Sequence, residues 1–338
     1  MSHAPSPPID LRKIKSLLFL RLGKLGDLMV ASWLFQRVRE KHPHLRLGLL
    51  TLPRSEELFR YNPDLDVIKV WQPLTLPVLS ARERLRTWDL MVDLNDDASR
   101  SSVLALRLLK PRFSMAYHHH RSAGVFEYTL HAPPKDKSHA LERLAVAAEA
   151  LGVGAPLRRM KPVAYIQRQT FLKETALRKA ATEKVPRAKV VALNLSAGHG
   201  SRYWPLPKWM GLAKALQGKG KNIWLRVLAD PKDHHLVTEL EENLEASRLL
   251  PKPGPSLNEF LTAIATSDLL ISPDTSAVHA AAAFGVPVVG LYPEPLWNFV
   301  SWRPMGVKNI ALRSPSAEGG VEAIPLEPVL KAALKLLK

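Results

Sequence analysis

The stretch from Leu269 to Pro293, LLISPDTSAVHAAAAFGVPVVGLYP, constrains the fold of this chain more than any other. An apolar run ends at Ser272, and Pro273, Asp274, Thr275 and Ser276 follow, residue types that make turns and cap helices. Ala277 to Phe284 then reads as a short helix stopped by Gly285, and Val286 to Tyr292 as a strand buried on both faces. Short apolar strands joined by helices belong to parallel sheets. Small side chains let this helix backbone lie close to the sheet. Its N-terminus can hold something polar or anionic at the sheet's carboxyl edge.

The rest of the chain repeats that grammar. Ser16 to Leu22 predicts a strand, and Leu28, Ala31, Leu34, Phe35 and Val38 form a helical stripe ended by His42-Pro43. Strands follow at Leu45–Thr51, Asp66–Trp71, Trp88–Leu94 and Phe113–Tyr117, with helices at Ser99–Leu109 and Ser138–Leu151. This alternation predicts a doubly wound domain over residues 16–160, behind a Pro-rich, disordered lead-in at residues 1–15. Residues 161–187 are expected to be a basic linker carrying a polar helix at Phe171–Lys184, because residues 151–186 hold 8 Lys/Arg against 2 Asp/Glu. A second series, residues 188–338, has strands at Lys189–Leu195, Ile223–Leu228 and Asn309–Leu312. Its helices are expected at Lys208–Leu216, Asp233–Leu244, Leu257–Ala265 behind Ser256, and Leu326–Leu337. The fold class is therefore α/β: two similar doubly wound halves whose carboxyl edges would face a cleft.

Composition narrows the partners. With no cysteine the chain can make neither disulfides nor thiolate metal sites, which fits a reducing compartment. The longest uncharged apolar stretch, Ala277 to Tyr292, is too short and broken to span a bilayer, and the N-terminus resembles no secretory signal. A cytoplasmic protein is expected. The net charge of +17 suits nucleic acid, an anionic membrane or a phosphorylated substrate alike. Without aromatic-basic interleaving or zinc-knuckle spacing, nucleic acid is not expected as a partner.

Three segments carry candidate chemistry. Gly23-Lys24-Leu25-Gly26-Asp27 lies at a strand-to-helix turn but matches neither the dinucleotide fingerprint nor the P-loop. Asp27 reads either as a helix cap or as a general base. In Asn194–Trp209, the small residues Ser196, Ala197, Gly198, Gly200 and Ser201 open backbone N–H groups to an anion, and Arg202 adds a fixed charge. The competing reading is a polar loop anchored by Trp204 and Trp209. Asp274-Thr275-Ser276 reads as a cap cluster or as sugar and pyrophosphate contacts, and His279 as a core histidine or a ligand contact. His118, His119, His120 and Arg121 suit a solvated loop better than a metal site, and Asp96-Asp97 is a weak metal signal; no metal is expected.

Taken in order, these segments resemble the lipopolysaccharide heptosyltransferases, glycosyltransferase family 9. Arg21 to Asp27 resembles the family's R-x-x-x-[IL]-G-D, and Asp89 to Leu94 its D-x-x-[IV]-D-[LA]. Arg202-Tyr203-Trp204-Pro205 with Trp209 is similar to [KR]-x-W-P-x-x-x-W. Asp274-Thr275, His279 and Gly285-x-Pro287 resemble D-T-G-x-x-H-x-A-A…G-x-P. The resemblance implies a GT-B fold and inverting transfer of a heptose from ADP-heptose to the inner core of lipopolysaccharide, with no further cofactor. It implies Asp27 as base, Arg202 on the donor phosphates and Asp274 on the sugar, with an acid contacting the nucleotide near Asp233. Ser196, Gly198, Thr275, Ser276 and His279 complete the expected donor set; Gly23, Lys24, Gly26 and Arg121 make up the acceptor set. The departures are Ser276 in place of the usual Gly, Ala197 and Gly198 where hydroxyl residues are common, and Leu291 to Glu294 without the usual Gly and Thr. The expected partners are a nucleotide sugar, an anionic lipopolysaccharide-core acceptor and the inner face of the cytoplasmic membrane. Two alternatives stay open: a GT-B transferase with another nucleotide sugar, and a non-catalytic basic binding protein on the same fold.

Overall fold

The structure, a computed structural model, describes residues 9–72, 88–97, 99–117, 124–294, 296–316 and 319–338. The chain divides into two compact units, Met1–Pro134 with Ala140–Tyr165 and Lys135–His139 with Ile166–Lys338. Both are α/β units built on parallel sheets.

In the first unit the described elements run β1 (Ser16–Leu20), α1 (Leu25–Lys41), β2 (Arg46–Thr51), α2 (Pro53–Phe59), β3 (Val67–Val70), β4 (Leu90–Asp93), α3 (Arg100–Leu109), β5 (Phe113–Tyr117), β6 (Tyr128–Leu130) and α4 (Ala140–Ala150). The strand order is β3-β2-β1-β4-β5-β6, with every pair parallel. All residues of β1 and β4 are buried, as apolar runs covered on both faces require. Their register sets Leu20 opposite Asp93 and fixes which residues emerge together at the carboxyl edge. At the opposite edge the Asp89 carboxylate accepts the backbone N–H groups of Lys15 (2.7 Å) and Ser16 (3.0 Å), which pins that register. The first acid of the Asp89–Leu94 motif is thus a structural tie far from the carboxyl edge.

The second unit comprises α5 (Arg168–Thr182), β7 (Lys189–Asn194), α6 (Leu206–Gly218), β8 (Ile223–Leu228), α7 (His234–Glu241), α8 (Leu257–Ala265), β9 (Leu269–Pro273), α9 (Ser276–Phe284), β10 (Val288–Tyr292), α10 (Trp297–Trp302), β11 (Asn309–Arg313) and α11 (Leu326–Leu336). Its parallel sheet has the order β11-β10-β9-β7-β8. The halves are alike in layers but not in wiring: counted within each unit, the first follows 3-2-1-4-5-6 and the second 2-1-3-4-5. Strand order reverses between β1 and β4 in one and between β7 and β9 in the other, and ligands of open parallel sheets bind at such reversals. Gly285 closes α9 at φ 75°, a left-handed conformation that a side chain would strain. Trp204 and Trp209 pack edge to face at 4.9 Å, and the Trp204 indole N–H donates to the Ile324 carbonyl at 3.0 Å.

Two boundary expectations need correction. Residues 9–15, expected in a disordered lead-in, hold a single turn of tight helix at Leu11–Lys13 with Ile9, Leu11 and Ile14 buried. The stretch 161–187 is no separate linker. Residues up to Tyr165 belong to the first unit, and α5 is docked on the second by side chains that read as solvated charge. Arg178 bonds Asp268 (2.7 Å) and the Thr266 carbonyl (2.6 Å), and Glu174 pairs with Arg226 on β8. Arg226 is fully buried and also donates to the Ala263 carbonyl (3.0 Å) and Thr266 (2.8 Å). A buried guanidinium that loses its only carboxylate partner costs about 3–5 kcal/mol. Glu174→Ala should therefore lower the urea unfolding free energy by about 3 kcal/mol, while the exposed Glu183→Ala stays within about 0.5 kcal/mol; equal effects would contradict this role for the pair.

Candidate functional site

In the first unit the site is a charge cluster at the carboxyl ends of β1 and β4. Arg21 continues β1 and is buried. One terminal nitrogen donates to Asp96 Oδ2 at 2.8 Å, the other to the Leu94 carbonyl, and Asp27 Oδ1 lies 3.6 Å away. Asp96 Oδ1 accepts from Arg143 Nε of α4 at 3.2 Å. Burial would raise the Asp96 carboxyl, but the two guanidiniums outweigh it and hold the group below the ordinary carboxylate range. Asp93 makes no ion pair among the described residues, and Arg21 acts on it only weakly. Burial raises its carboxyl despite hydrogen bonds from Ser102 and from the N–H and amide of Asn95 (2.9 and 2.6 Å).

Asp27 sits at the third position of α1, one-fifth exposed, with Oδ2 accepting the Lys24 N–H at 2.9 Å. It thus caps the helix from inside rather than as the N-cap residue, and its other oxygen faces Arg21. Gly23 is needed for this: a Cβ there would stand 2.5 Å from Asp27 Oδ2 and 3.2 Å from Arg21 Nε. Lys24 is exposed beside the carboxylate, and Gly26 is half-buried. Arg121 and its neighbouring histidines lie outside the described residues. Asp96, weighed from sequence as a metal ligand, is committed to two arginines instead.

In the second unit the corresponding edge is built from hydroxyls and amides. The buried Asn194, at the end of β7, donates its amide to Ser272 (2.9 Å) and Thr275 (3.2 Å), joining β7 to β9 across the reversal. Thr275 is the N-cap of α9, accepting the Ala277 N–H at 3.3 Å, and Ser276 begins the helix without positive φ, so the residue standing in for glycine is unstrained. Arg202 reaches the Asp274 carboxylate and carbonyl, each at 3.1 Å, and Asn298 at 3.1 Å. Asp274 is buried; the Arg202 side chain keeps 22% of its surface exposed, enough to meet a ligand. Between them Gly198 to Ser201 form an exposed loop, and a side chain at Gly198 or Gly200 would touch nothing. Ser196 is turned inward, its hydroxyl accepting the Asp230 N–H at 2.7 Å.

Asp233 accepts the Tyr203 hydroxyl at 2.8 Å, and the Lys232 ammonium lies 3.3 Å from the Ala197 carbonyl and 5.7 Å from the Tyr203 ring. A hydrogen bond with Tyr203 raises the Lys232 ammonium. His279 lies in the interior, 3% exposed and packed on Trp302 at 5.9 Å between ring centres. Burial, helped by His139, depresses its pKa to about 3. The sequence missed Asn194, Asn298, Lys232 and Arg143. Only Arg143 left a signal, as a lone cation on the apolar face of Leu141, Leu144, Ala147 and Ala148.

Because His279 titrates near 3 folded and 6.5 unfolded, the unfolded chain binds a proton that the folded one refuses between those values. Stability present at neutral pH is then lost as pH falls, by about 1.4 kcal/mol per pH unit. Unfolding free energy measured from pH 6 to pH 4 should fall more steeply, by one proton, in the parent than in His279→Asn. Parallel slopes would refute a buried neutral ring.

Comparison with known proteins shows the family and the fold. The model of glycosyltransferase family 9 (heptosyltransferase) matches residues 78–320. The chain is 20% identical over 297 residues to lipopolysaccharide heptosyltransferase 3 of Escherichia coli, covering 82% of this chain and 83% of that protein. Among solved structures, a family 9 glycosyl transferase from Veillonella parvula superposes with a TM-score of 0.81 at 18% identity, over 96% of this chain and 97% of that one. The E. coli ADP-heptose lipopolysaccharide heptosyltransferase II gives 0.75 at 16% identity, over 96% and 98%. At these identities the structural likeness establishes the fold, which is GT-B.

Proposed function

The chain belongs to glycosyltransferase family 9, the heptosyltransferase family, and we propose that it transfers a heptose from ADP-heptose to the inner core of lipopolysaccharide with inversion at the anomeric carbon. As a glycosyltransferase it must activate an acceptor oxygen and stabilise a leaving group. In this reading Asp27 takes the proton of an acceptor hydroxyl as that oxygen attacks the anomeric carbon. The bond from that carbon to the donor's phosphate oxygen breaks, and its electron pair leaves with the nucleoside diphosphate. Arg202, the Gly198–Ser201 amides and the N-terminus of α9 bear the charge that develops there. Asp274 bonds sugar hydroxyls, Asp233 and Lys232 line the nucleotide end, and Gly23, Lys24 and Gly26 meet the acceptor. The high positive charge suits an anionic lipid-linked acceptor at the inner face of the cytoplasmic membrane. Among the described residues no helix is long and apolar enough to cross a membrane.

The observation that carries the reading is that the family-like residues of each unit meet at its strand-order reversal, Asp27 beside β1 and β4, Arg202 and Asp274 beside β7 and β9. Incubation with ADP-heptose and truncated lipopolysaccharide should add the mass of one heptose to the lipid. Asp27→Asn should keep donor affinity and lose about 10²–10⁴ in turnover, the usual contribution of a general base. Undiminished turnover in that variant removes the assignment, and a mass gain only with a different nucleotide sugar would move the enzyme to another donor.

A further inference from the structure

The helix α3 carries leucines on both faces: Leu106, Leu108 and Leu109 pack against the core, while Leu104 is turned to solvent. Its two buried residues are Ser102 and Ala105, at 1% and 0% exposure, whereas Leu104 is 43% exposed and Val103 half-buried. Arg100, Val103, Leu104 and Arg107 follow the spacing i, i+3, i+4, i+7 and so form one stripe along the helix. Arg100 and Arg107 are exposed at either end of it. Lys110 and Arg112, also exposed, continue the positive surface past the helix, and residues 99–117 contain no acid to neutralise any of them. Ordinary surface helices place small polar residues outward and leucine inward. Here Leu104 and Val103 stand on the opposite face from the core-packed leucines, an apolar centre rimmed by guanidiniums.

We propose that this stripe is a docking surface for an anionic phospholipid bilayer. Leu104 and Val103 enter the boundary between headgroups and acyl chains while Arg100, Arg107, Lys110 and Arg112 meet lipid phosphates. An acidic soluble partner would satisfy the charges but not the leucine; a lipid interface satisfies both. Four basic residues and two apolar ones give weak, reversible attachment, as an enzyme moving between acceptors requires. The inference gives a location to the membrane association in the proposed function, but vesicle binding itself does not depend on the transfer reaction.

The test is partitioning of the full chain onto vesicles of phosphatidylglycerol and phosphatidylethanolamine in equal parts, free of any glycolipid, with phosphatidylcholine vesicles as the neutral comparison. Each basic residue near such a surface is worth roughly five-fold in binding. Arg107→Glu should therefore weaken partitioning about twenty-fold, and Leu104→Gln about five-fold by loss of its apolar burial. Lys331→Glu, the same charge change at an exposed site on α11 of the other unit, should change it less than about two-fold. Melting curves confirm that each variant is folded, and transfer to a lipid-free acceptor oligosaccharide should be unchanged in Arg107→Glu and Leu104→Gln. Parental binding by both stripe variants, or an equal loss in Lys331→Glu, overturns the proposal. So does binding that appears only when glycolipid is added, or loss of transfer to the lipid-free acceptor, since either would assign the stripe to acceptor recognition. Absence of transfer by the parent protein would instead refute the transferase reading and leave the vesicle result standing.

Discussion

Arg21 is the constraint on which the first unit turns. A guanidinium taken out of water at the end of a buried strand is costly unless its charge is met. Asp96 meets the charge and one terminal nitrogen, the Leu94 carbonyl takes the other, and Nε has no hydrogen bond among the described residues. Asp96 in turn lies between two cations, the second being Arg143 from α4, so β1, the loop after β4 and a helix from far along the chain converge on one carboxylate. The Tyr117 hydroxyl, bonded to the Arg143 carbonyl at 3.0 Å, adds β5 to the same cluster. Asp27 is thereby presented with one oxygen fixed by the Lys24 N–H and the other toward Arg21, a carboxylate aimed by its surroundings and still open to solvent.

The second unit solves the same placement differently. Its reversal point is bridged by neutral groups, Asn194 to Ser272 and Thr275, and Arg202 brings a full positive charge into direct contact with Asp274. Beside that ion pair the N-terminus of α9 adds a partial positive charge, which favours an anion. A buried ion cluster in one unit and a hydroxyl network in the other suit the two tasks proposed for them, taking a proton in the first and holding a diphosphate in the second.

Much of the fold was legible because its signals are local. Ile223–Leu228 and Leu257–Ala265 match the sequence reading at both ends, since a run apolar but for Arg226 and a Ser256 cap with Glu259 three residues on leave little freedom. The misses were elements with little sequence to show: α2 begins at a proline, β6 has three residues, and α10 is a six-residue aromatic turn. Strand order was not legible, because it depends on which way each crossover turns. The supposed linker misled because Glu174 and Arg178 look like solvent charges until their four-residue spacing is set against Arg226 and Asp268. At the candidate site the motif residues were legible as a pattern, but the side chains that hold them were not. Asp96 and Arg143 are 47 positions apart, and no local pattern announces that they touch.

The proposed role of Asp27 as base requires a single displacement at the anomeric carbon. The most direct measurement is the configuration of the newly formed glycosidic bond, followed by proton NMR from the first turnovers with an ADP-heptose of known anomeric configuration. The account predicts a product of opposite configuration to the donor. A product that retains the donor's configuration would require a second displacement and would contradict the role given to Asp27.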